Sequence, residues 1–134
     1  MLWSRKPWLR WLIILLPGIG FCILSGIGIT VPAWYISILG VPNTTPSLAS
    51  HFRYLNVLFL SYGIMLFLLF ADGRKYRIFL PFLAFGMLGG AAVRTVSVLV
   101  DGVPNLLMML ALIGELVLGV LFFLLWRLSA TSET

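Results

Sequence analysis

Two charged residues, Arg94 and Glu115, lie inside long apolar stretches, where a charge has to be stabilised by its surroundings. Each costs about 2.5–3.5 kcal/mol at the centre of a spanning helix, taking glutamate by analogy with aspartate. At the helical rise of about 1.5 Å per residue, Arg94 lies about 10 Å from Asp101 and Glu115 about 13 Å from Leu106. Asp101 ends one stretch and Leu106 begins the next, so the pattern predicts an antiparallel helix pair with both charges at nearly the same depth.

Small residues accompany these two charges at helical spacing. Gly86 and Gly90 precede Arg94 by eight and four residues and form a GxxxG pair, which lets helices approach closely. Gly119 follows Glu115 by four residues. These three glycines are therefore the predicted helix-packing positions.

Further polar residues share the faces of these helices. Ser97 and Asp101 lie on the face of Arg94, and Arg53 and Asn56 lie on one face of the preceding apolar stretch. Since the apolar stretches must pack against one another, we predict a single polar cluster. It either binds a ligand or is structural, and it consists of Arg53, Asn56, Arg94, Ser97, Asp101 and Glu115.

The predicted cluster allows two interpretations. In one, Arg94 and Glu115 form a structural ion pair that fixes the register of the helices. In the other, they line a site for a polar head group, an anion or a proton, because ionisable residues inside a membrane are candidates for function. Arg53 and Arg94 outnumber any single carboxylate at this depth, which would leave positive charge for an anionic or carbonyl-bearing ligand.

Other catalytic or metal-binding patterns are missing from the sequence. It has one histidine, His51, and one cysteine, Cys22, so haem held by two imidazoles, a CxxC pair and an intramolecular disulfide are excluded. There is no Ser-His-Asp set, no zinc spacing and no phosphate-binding loop. The sequence therefore predicts no catalytic residues, no metal and no cofactor, and it favours a protein that is not an enzyme.

The elements that carry these residues are membrane-spanning helices. Apolar residues make up 61% of the 134 residues and charged residues 10%, against about 25% in an average soluble protein. The mean hydropathy is +1.10. This composition excludes a soluble enzyme, a nucleic-acid reader and a disordered linker, and it indicates one all-α domain over residues 1–134. Four stretches are long enough to span a bilayer, at about 11–31, 54–71, 78–100 and 106–126, with an outer loop at 32–53.

The positive charges predict how this four-helix bundle is oriented. Seven of the nine lysines and arginines lie beside the ends of the stretches: Arg5, Lys6, Arg10, Arg74, Lys75, Arg77 and Arg127. By the positive-inside rule they place both termini in the cytoplasm. The net charge of +5 is then a topology signal, and no nucleic-acid partner is expected. The first stretch is longer than the apolar part of a signal peptide and lacks a cleavage site, which indicates an uncleaved helix.

Several segments together resemble one known family, the domain of unknown function 4345, found in small bacterial membrane proteins. They are Arg53-Tyr54-Leu55-Asn56, Arg94, Val100-Asp101-Gly102-Val103-Pro104, Gly114-Glu115-Leu116-Val117-Leu118-Gly119 and Trp126-Arg127. The resemblance covers about residues 10–128. It implies a four-helix, multi-pass protein of the bacterial inner membrane and implies no activity. Four-helix proteins of the DoxX type, linked to quinone-dependent oxidation systems, are a more distant likeness of architecture.

Three classes of function are compatible with this pattern. The first is a binding or accessory protein that holds a lipid-like or quinone-like molecule in the polar cluster. The second is a small transporter or channel subunit acting as an oligomer, because four helices alone enclose no pore. The third is a membrane enzyme without a recognisable nucleophile. A purely structural subunit of a larger complex ranks just after the first class. The expected partners are the lipid bilayer, an amphipathic small molecule and a membrane protein or a second copy of the chain.

Overall fold

The computed structural model describes residues 7–41 and 43–130, which are largely helical and contain no strand. The first helix, α1, continues without a break through Pro7–Arg10, Trp11–Leu15 and Leu16–Thr30. The remaining helices are α2 (Pro32–Ile38), α3 (Pro46–Ala71), α4 (Phe79–Asp101) and α5 (Leu106–Ala130). Of the predicted basic residues, Arg5 and Lys6 lie outside the described part of the chain.

Four of these helices, α1, α3, α4 and α5, are long and apolar enough to cross a membrane, which confirms the all-α, four-span prediction. The helix α3 extends beyond the span predicted from hydropathy, because it begins at Pro46 rather than near Tyr54. Its start is set by a capping signal: the Thr45 hydroxyl accepts the backbone N–H of Leu48, and Pro46 takes the first helical turn. The predicted outer loop at 32–53 therefore contains α2 and two turns of α3.

A single π-helical turn lies within α1 at Trp11–Leu15, just before Pro17. Proline has no N–H, and its ring displaces the carbonyl four residues earlier, so the regular hydrogen-bond ladder cannot continue there. The backbone N–H of Leu16 instead donates to the carbonyl oxygen of Trp11, five residues back. The helix widens by one residue and continues to Thr30.

Small residues join α1 and α3 into a closely packed hairpin. A Cβ on Gly63 of α3 would collide with the Sγ of Cys22, and a Cβ on Gly28 of α1 would collide with the Asn56 side chain. The Ser25 side chain is buried between these two contacts. The two backbones approach so closely because hydrogen atoms stand where side chains would otherwise be.

The helices α4 and α5 form the second hairpin, and it packs on the first through an apolar core. This core lies near the turn between α3 and α4, and its buried members are Ile14, Leu66, Leu69, Leu80, Leu83, Ala84, Met87, Phe122 and Leu125. We call this end the α3–α4 end; it comprises residues 7–10, 72–78 and 127–130. The opposite, α4–α5 end comprises residues 31–41, 43–45 and 102–105.

Toward the α4–α5 end, the faces between the hairpins are open. Tyr62 of α3 lies against Gly86 of α4. Leu58 and Leu55 precede Tyr62 by four and seven residues, so they lie on the same face of α3, nearer to the α4–α5 end. Their exposed fractions are 46% and 37%, whereas Leu66, one turn away in the other direction, is fully buried. The two hairpins are therefore packed tightly over one half of their length only.

Candidate ligand-binding site

The Arg94 side chain of α4 is bonded to the Glu115 carboxylate of α5. The Nε–H of Arg94 is shared between the two carboxylate oxygens, at 3.0 Å to Oε1 and 2.9 Å to Oε2. Gly90 makes room for the carboxylate, since a Cβ there would stand 3.1 Å from Oε2. The ion pair thus joins the two helices at the level where the charges of both are found.

This ion pair uses only one of the five N–H donors of the guanidinium. One further contact joins Nη1 to the thioether sulfur of Met108, at 3.3 Å, and a thioether is a weak acceptor. Within the described residues, Nη2 has no hydrogen-bond partner. Arg94 is 34% exposed, while Glu115 is 14% exposed, so the cation is the more open member of the pair.

Arg94 also lines a pocket of about 250 Å³. Arg94, Ser97 and Asp101 line it from α4, and the thioethers of Met108 and Met109 line it from α5. The rest of the lining is apolar or backbone, from Val98, Gly102, Pro104 and Leu112. The pocket therefore combines a polar wall on one helix with an apolar, adaptable wall on the other.

The pocket continues the face that forms the core between the hairpins. Leu83 and Met87 are buried in that core, and Arg94 and Asp101 follow Met87 by seven and fourteen residues, which keeps them on the same side of α4. The helices α3 and α4 run antiparallel, so residues can be counted in opposite directions from the contact of Tyr62 with Gly86. This places Leu58 and Leu55 of α3 at the depth of Gly90 to Arg94 of α4. The open half of the molecule thus has a charged side and an apolar side.

A hydrogen bond links the two hairpins at the α4–α5 end. The Asn105 side chain donates through Nδ2 to the Leu39 carbonyl at 2.8 Å, and its Oδ1 accepts the N–H of Met108 at 3.0 Å. Gly40 and Gly102, both with positive φ, form the turns beside it. Asn105 thereby caps α5 and joins the segment after α2 to the turn that borders the pocket.

The structure divides the predicted polar cluster into two groups. Arg94, Ser97, Asp101 and Glu115 lie together on the second hairpin. Arg53 lies elsewhere: its Nε donates to the Ile29 carbonyl at 3.1 Å, near the end of α1.

Asn56 also lies on the first hairpin, where it is buried against α1. Its Nδ2 donates to the Phe52 carbonyl within α3 at 2.8 Å, and its side chain fills the space over Gly28. Helical spacing correctly groups residues on one helix, but it does not say which neighbouring helix a face will meet. That choice separates Arg53 and Asn56 from Arg94.

The three predicted packing glycines each have an identifiable neighbour. Gly86 lies beneath the Tyr62 hydroxyl, Gly90 beneath the Glu115 carboxylate, and a Cβ on Gly119 would stand 2.8 Å from the Leu88 side chain. Gly86 therefore belongs to the contact between the hairpins, and the other two to the contact between α4 and α5.

Two residues of the site were missed from the sequence, Met108 and Asn105. Met108 precedes Glu115 by seven residues and so shares its helix face, a signal that could have identified it. Asn105, following Pro104 and preceding an apolar run, has the position of a helix cap. Nothing in the spacing of Asn105 could have indicated its bond to Leu39.

The described residues contain no group of three or more histidine, cysteine, aspartate or glutamate side chains that could hold a metal ion. The polar side chains that line the site supply hydrogen bonds and charge. Arg94 offers N–H donors, Asp101 a carboxylate and Ser97 a hydroxyl.

Comparison with known proteins relates the chain to a family. A family model described as "Domain of unknown function (DUF4345)" matches residues 8–126. No curated protein and no solved structure matches the chain. The matched range begins in α1 and ends in α5, so it includes both hairpins and every residue of the pocket.

Proposed function

The chain belongs to the DUF4345 family, and because that description assigns no activity, we propose a function from the geometry of the site. We propose that the protein is a binding or accessory protein of a membrane and that its pocket beside Arg94 holds an amphipathic molecule, lipid-like or quinone-like. The observation that carries the proposal is that the Nη groups of Arg94 have no oxygen acceptor among the described residues, while Arg94 itself lines this pocket.

The donors left over at Arg94 favour a ligand over a purely structural ion pair. Unsatisfied polar groups cost several kcal/mol each in the hydrocarbon region of a membrane. A structural pair that only fixes helix register would satisfy more of the guanidinium and enclose it more completely. A ligand with carbonyl, phosphate or other acceptor oxygens would supply the missing partners.

The apolar surfaces of the open half favour a ligand with a long apolar part. Met109 and Leu112 line the pocket, and Leu55 and Leu58 are exposed on α3 at the same level. An amphipathic molecule could bind its polar end at Arg94 and lay its apolar end along these side chains. Pockets for such ligands are mostly apolar with a few polar groups that fix orientation.

The closed half of the molecule supports a holding role rather than transport through a single chain. The core between the hairpins, which includes Leu83, Met87 and Phe122, is fully or almost fully buried. It separates the pocket from the α3–α4 end. A route across the membrane would have to pass through this packed core or between several chains.

The test is native mass spectrometry of the full-length protein released gently from its own membrane. We expect the wild type to carry one defined extra mass of an amphipathic molecule. Ser97→Leu fills the pocket without touching the ion pair and should lose that mass. The matched control Arg53→Gln removes an arginine from the first hairpin and should retain it.

Four outcomes would contradict the proposal. One is a bare wild-type chain, and another is a Ser97→Leu variant that carries the same mass as the wild type. The third is recovery of the protein only inside a larger complex with an empty pocket, which would indicate a structural subunit. Flux into liposomes that Glu115→Gln abolishes would instead indicate a transporter.

We also propose a bacterial inner-membrane location with the α3–α4 end in the cytoplasm. Arg10, Arg74, Lys75, Arg77 and Arg127 all lie at that end, as the positive-inside rule requires. The pocket then opens in the half of the bilayer away from the cytoplasm. A ligand would enter it from the outer leaflet.

A further inference from the structure

The polar wall of the pocket has its charges at two different depths. Arg94, Ser97 and Asp101 are spaced by three and four residues, so they form one row along α4. The row spans seven residues, or about 10 Å. Asp101 stands at the end of the helix and Arg94 lies deeper in the span.

The Asp101 carboxylate is exposed and unpaired in this row. Among the described residues it accepts no hydrogen bond and forms no ion pair, although it lines the pocket. Glu115 differs from it, because its carboxylate accepts the Nε–H of Arg94. The pocket therefore has one uncompensated carboxylate, at the end of α4.

The charge balance of the pocket decides what kind of head group fits. Glu115 compensates the charge of Arg94, so Arg94 contributes hydrogen-bond donors more than net positive charge. Asp101 leaves one negative charge uncompensated at the end of α4. A purely anionic head group would meet that charge, whereas a head group with an outer ammonium and inner oxygens would match both ends of the row.

From this arrangement we infer the class of ligand, an inference that rests on the proposed function. The pocket selects an amine-bearing zwitterionic phospholipid, with its ammonium at Asp101 and its phosphate or ester oxygens at Ser97 and the Nη groups of Arg94. A primary ammonium donates three hydrogen bonds, as lysine does, whereas a quaternary ammonium donates none. The site therefore prefers an ethanolamine head group over a choline head group.

The inference is tested by lipid competition on the full-length protein in mild detergent. Phosphatidylethanolamine, phosphatidylcholine and phosphatidylglycerol of identical acyl chains are added in equal amounts, and the retained lipids are counted by native mass spectrometry. We expect phosphatidylethanolamine to be retained about fivefold over phosphatidylglycerol, the range of one exposed charge pair. The preference over phosphatidylcholine should be smaller, because choline keeps the positive charge and lacks only the N–H donors. Soluble phosphoethanolamine, which lacks acyl chains, should not compete.

Variants at Asp101 assign the preference to this carboxylate. Asp101→Asn should bind the three lipids equally, and Asp101→Lys should favour phosphatidylglycerol. Asp72→Asn, which removes a carboxylate at the opposite end of the molecule, is the matched control and should keep the wild-type preference. Elution as a single folded species is checked for each variant.

Failure of this inference is distinguishable from failure of the proposed function. Lipid retention that Ser97→Leu abolishes but that shows no head-group preference, or a preference unchanged in Asp101→Asn, overturns the inference and leaves the proposed function standing. Absence of any retained amphipathic molecule in the wild type overturns both, whereas a retained molecule that is not a phospholipid overturns the inference alone. Competition by soluble phosphoethanolamine would show that the ligand is a free head group and would also overturn the lipid assignment.

Discussion

At the scale of single residues, the chemistry of this protein is concentrated in how Arg94 divides its donors. Its Nε–H donates to Glu115, and for the other donors a methionine sulfur is the only protein acceptor among the described residues. The same side chain therefore joins two helices and presents donors to a ligand. The sequence could predict the pairing from the equal depths of the two charges, because helical rise fixes depth.

Replacement of Glu115 tests the structural part of that division. Glu115→Gln keeps the shape of the side chain but removes the charge that Arg94 faces, and it should lower the free energy of unfolding by about 1.5–3 kcal/mol. Unfolding is measured by denaturant titration in mixed micelles. In the double variant Arg94→Gln, Glu115→Gln, the loss should be smaller than the sum of the single losses. Additive losses would show that the two residues are not coupled.

Asp72, in the turn between α3 and α4, allows a pH-dependent test outside the spans. The backbone N–H of Lys75 donates to the Asp72 carboxylate, and so, with a smaller effect, does that of Arg74. These hydrogen bonds hold the pKa of the Asp72 carboxyl below its usual value. A lowered pKa means that the contribution to stability is present above the ordinary carboxyl pKa of about 4 and is lost as the pH falls through the lowered one. The wild type should therefore melt above Asp72→Asn at neutral pH, and the two should converge in acid. A constant difference down to the lowest pH would contradict this account.

At the scale of helices, the apolar length of α3 predicts the part that spans the membrane, whereas its capping residues determine where the helix begins. Hydropathy predicts the part of α3 that crosses the membrane, while Thr45 and Pro46 set where the helix begins, eight residues earlier than Tyr54. The π-helical turn of α1 follows from Pro17, whose position was visible in the sequence, although its effect on the hydrogen-bond ladder was not predicted. Local signals of this kind are present in the sequence but are not found by counting apolar residues.

Helix packing gives a prediction at this scale through two glycines of the first hairpin. Gly63→Ala places a Cβ against Cys22 and should lower the free energy of unfolding by about 1–3 kcal/mol, the usual cost of overpacking. Gly20→Ala, in α1, meets nothing within 4 Å and should leave stability unchanged or raise it by up to about 1 kcal/mol. Both are measured by the same titration in mixed micelles. Equal effects of the two variants would contradict the close contact at Gly63.

At the scale of the whole molecule, two hairpins meet over one half and leave the other half open. The sequence could predict four spans and a charged pair, because both depend on one helix or one hairpin. It could not predict that Arg53 bonds α1 rather than joining Arg94, since that depends on which faces of different helices meet. The bond between Asn105 and Leu39 likewise joins residues far apart in the chain.

The proposed orientation is tested by labelling single cysteines with a membrane-impermeant maleimide in intact cells, in a Cys22→Ala background. Ser50→Cys lies at the start of α3, near the α4–α5 end, and should be labelled from outside. Lys75→Cys lies in the turn at the α3–α4 end and should be labelled only after the membrane is opened. The reverse pattern would place the pocket in the cytoplasmic half of the bilayer.

The most direct test of the central claim is an experimental structure of the wild-type protein in a nanodisc made from its own membrane lipids. The account predicts an elongated density in the pocket between α4 and α5, with an acceptor atom about 3 Å from an Nη of Arg94. The Nε of Arg94 should remain on Glu115 in the same structure. A pocket closed by protein side chains, with the Nη groups bonded to protein oxygens, would contradict the account and leave a structural ion pair.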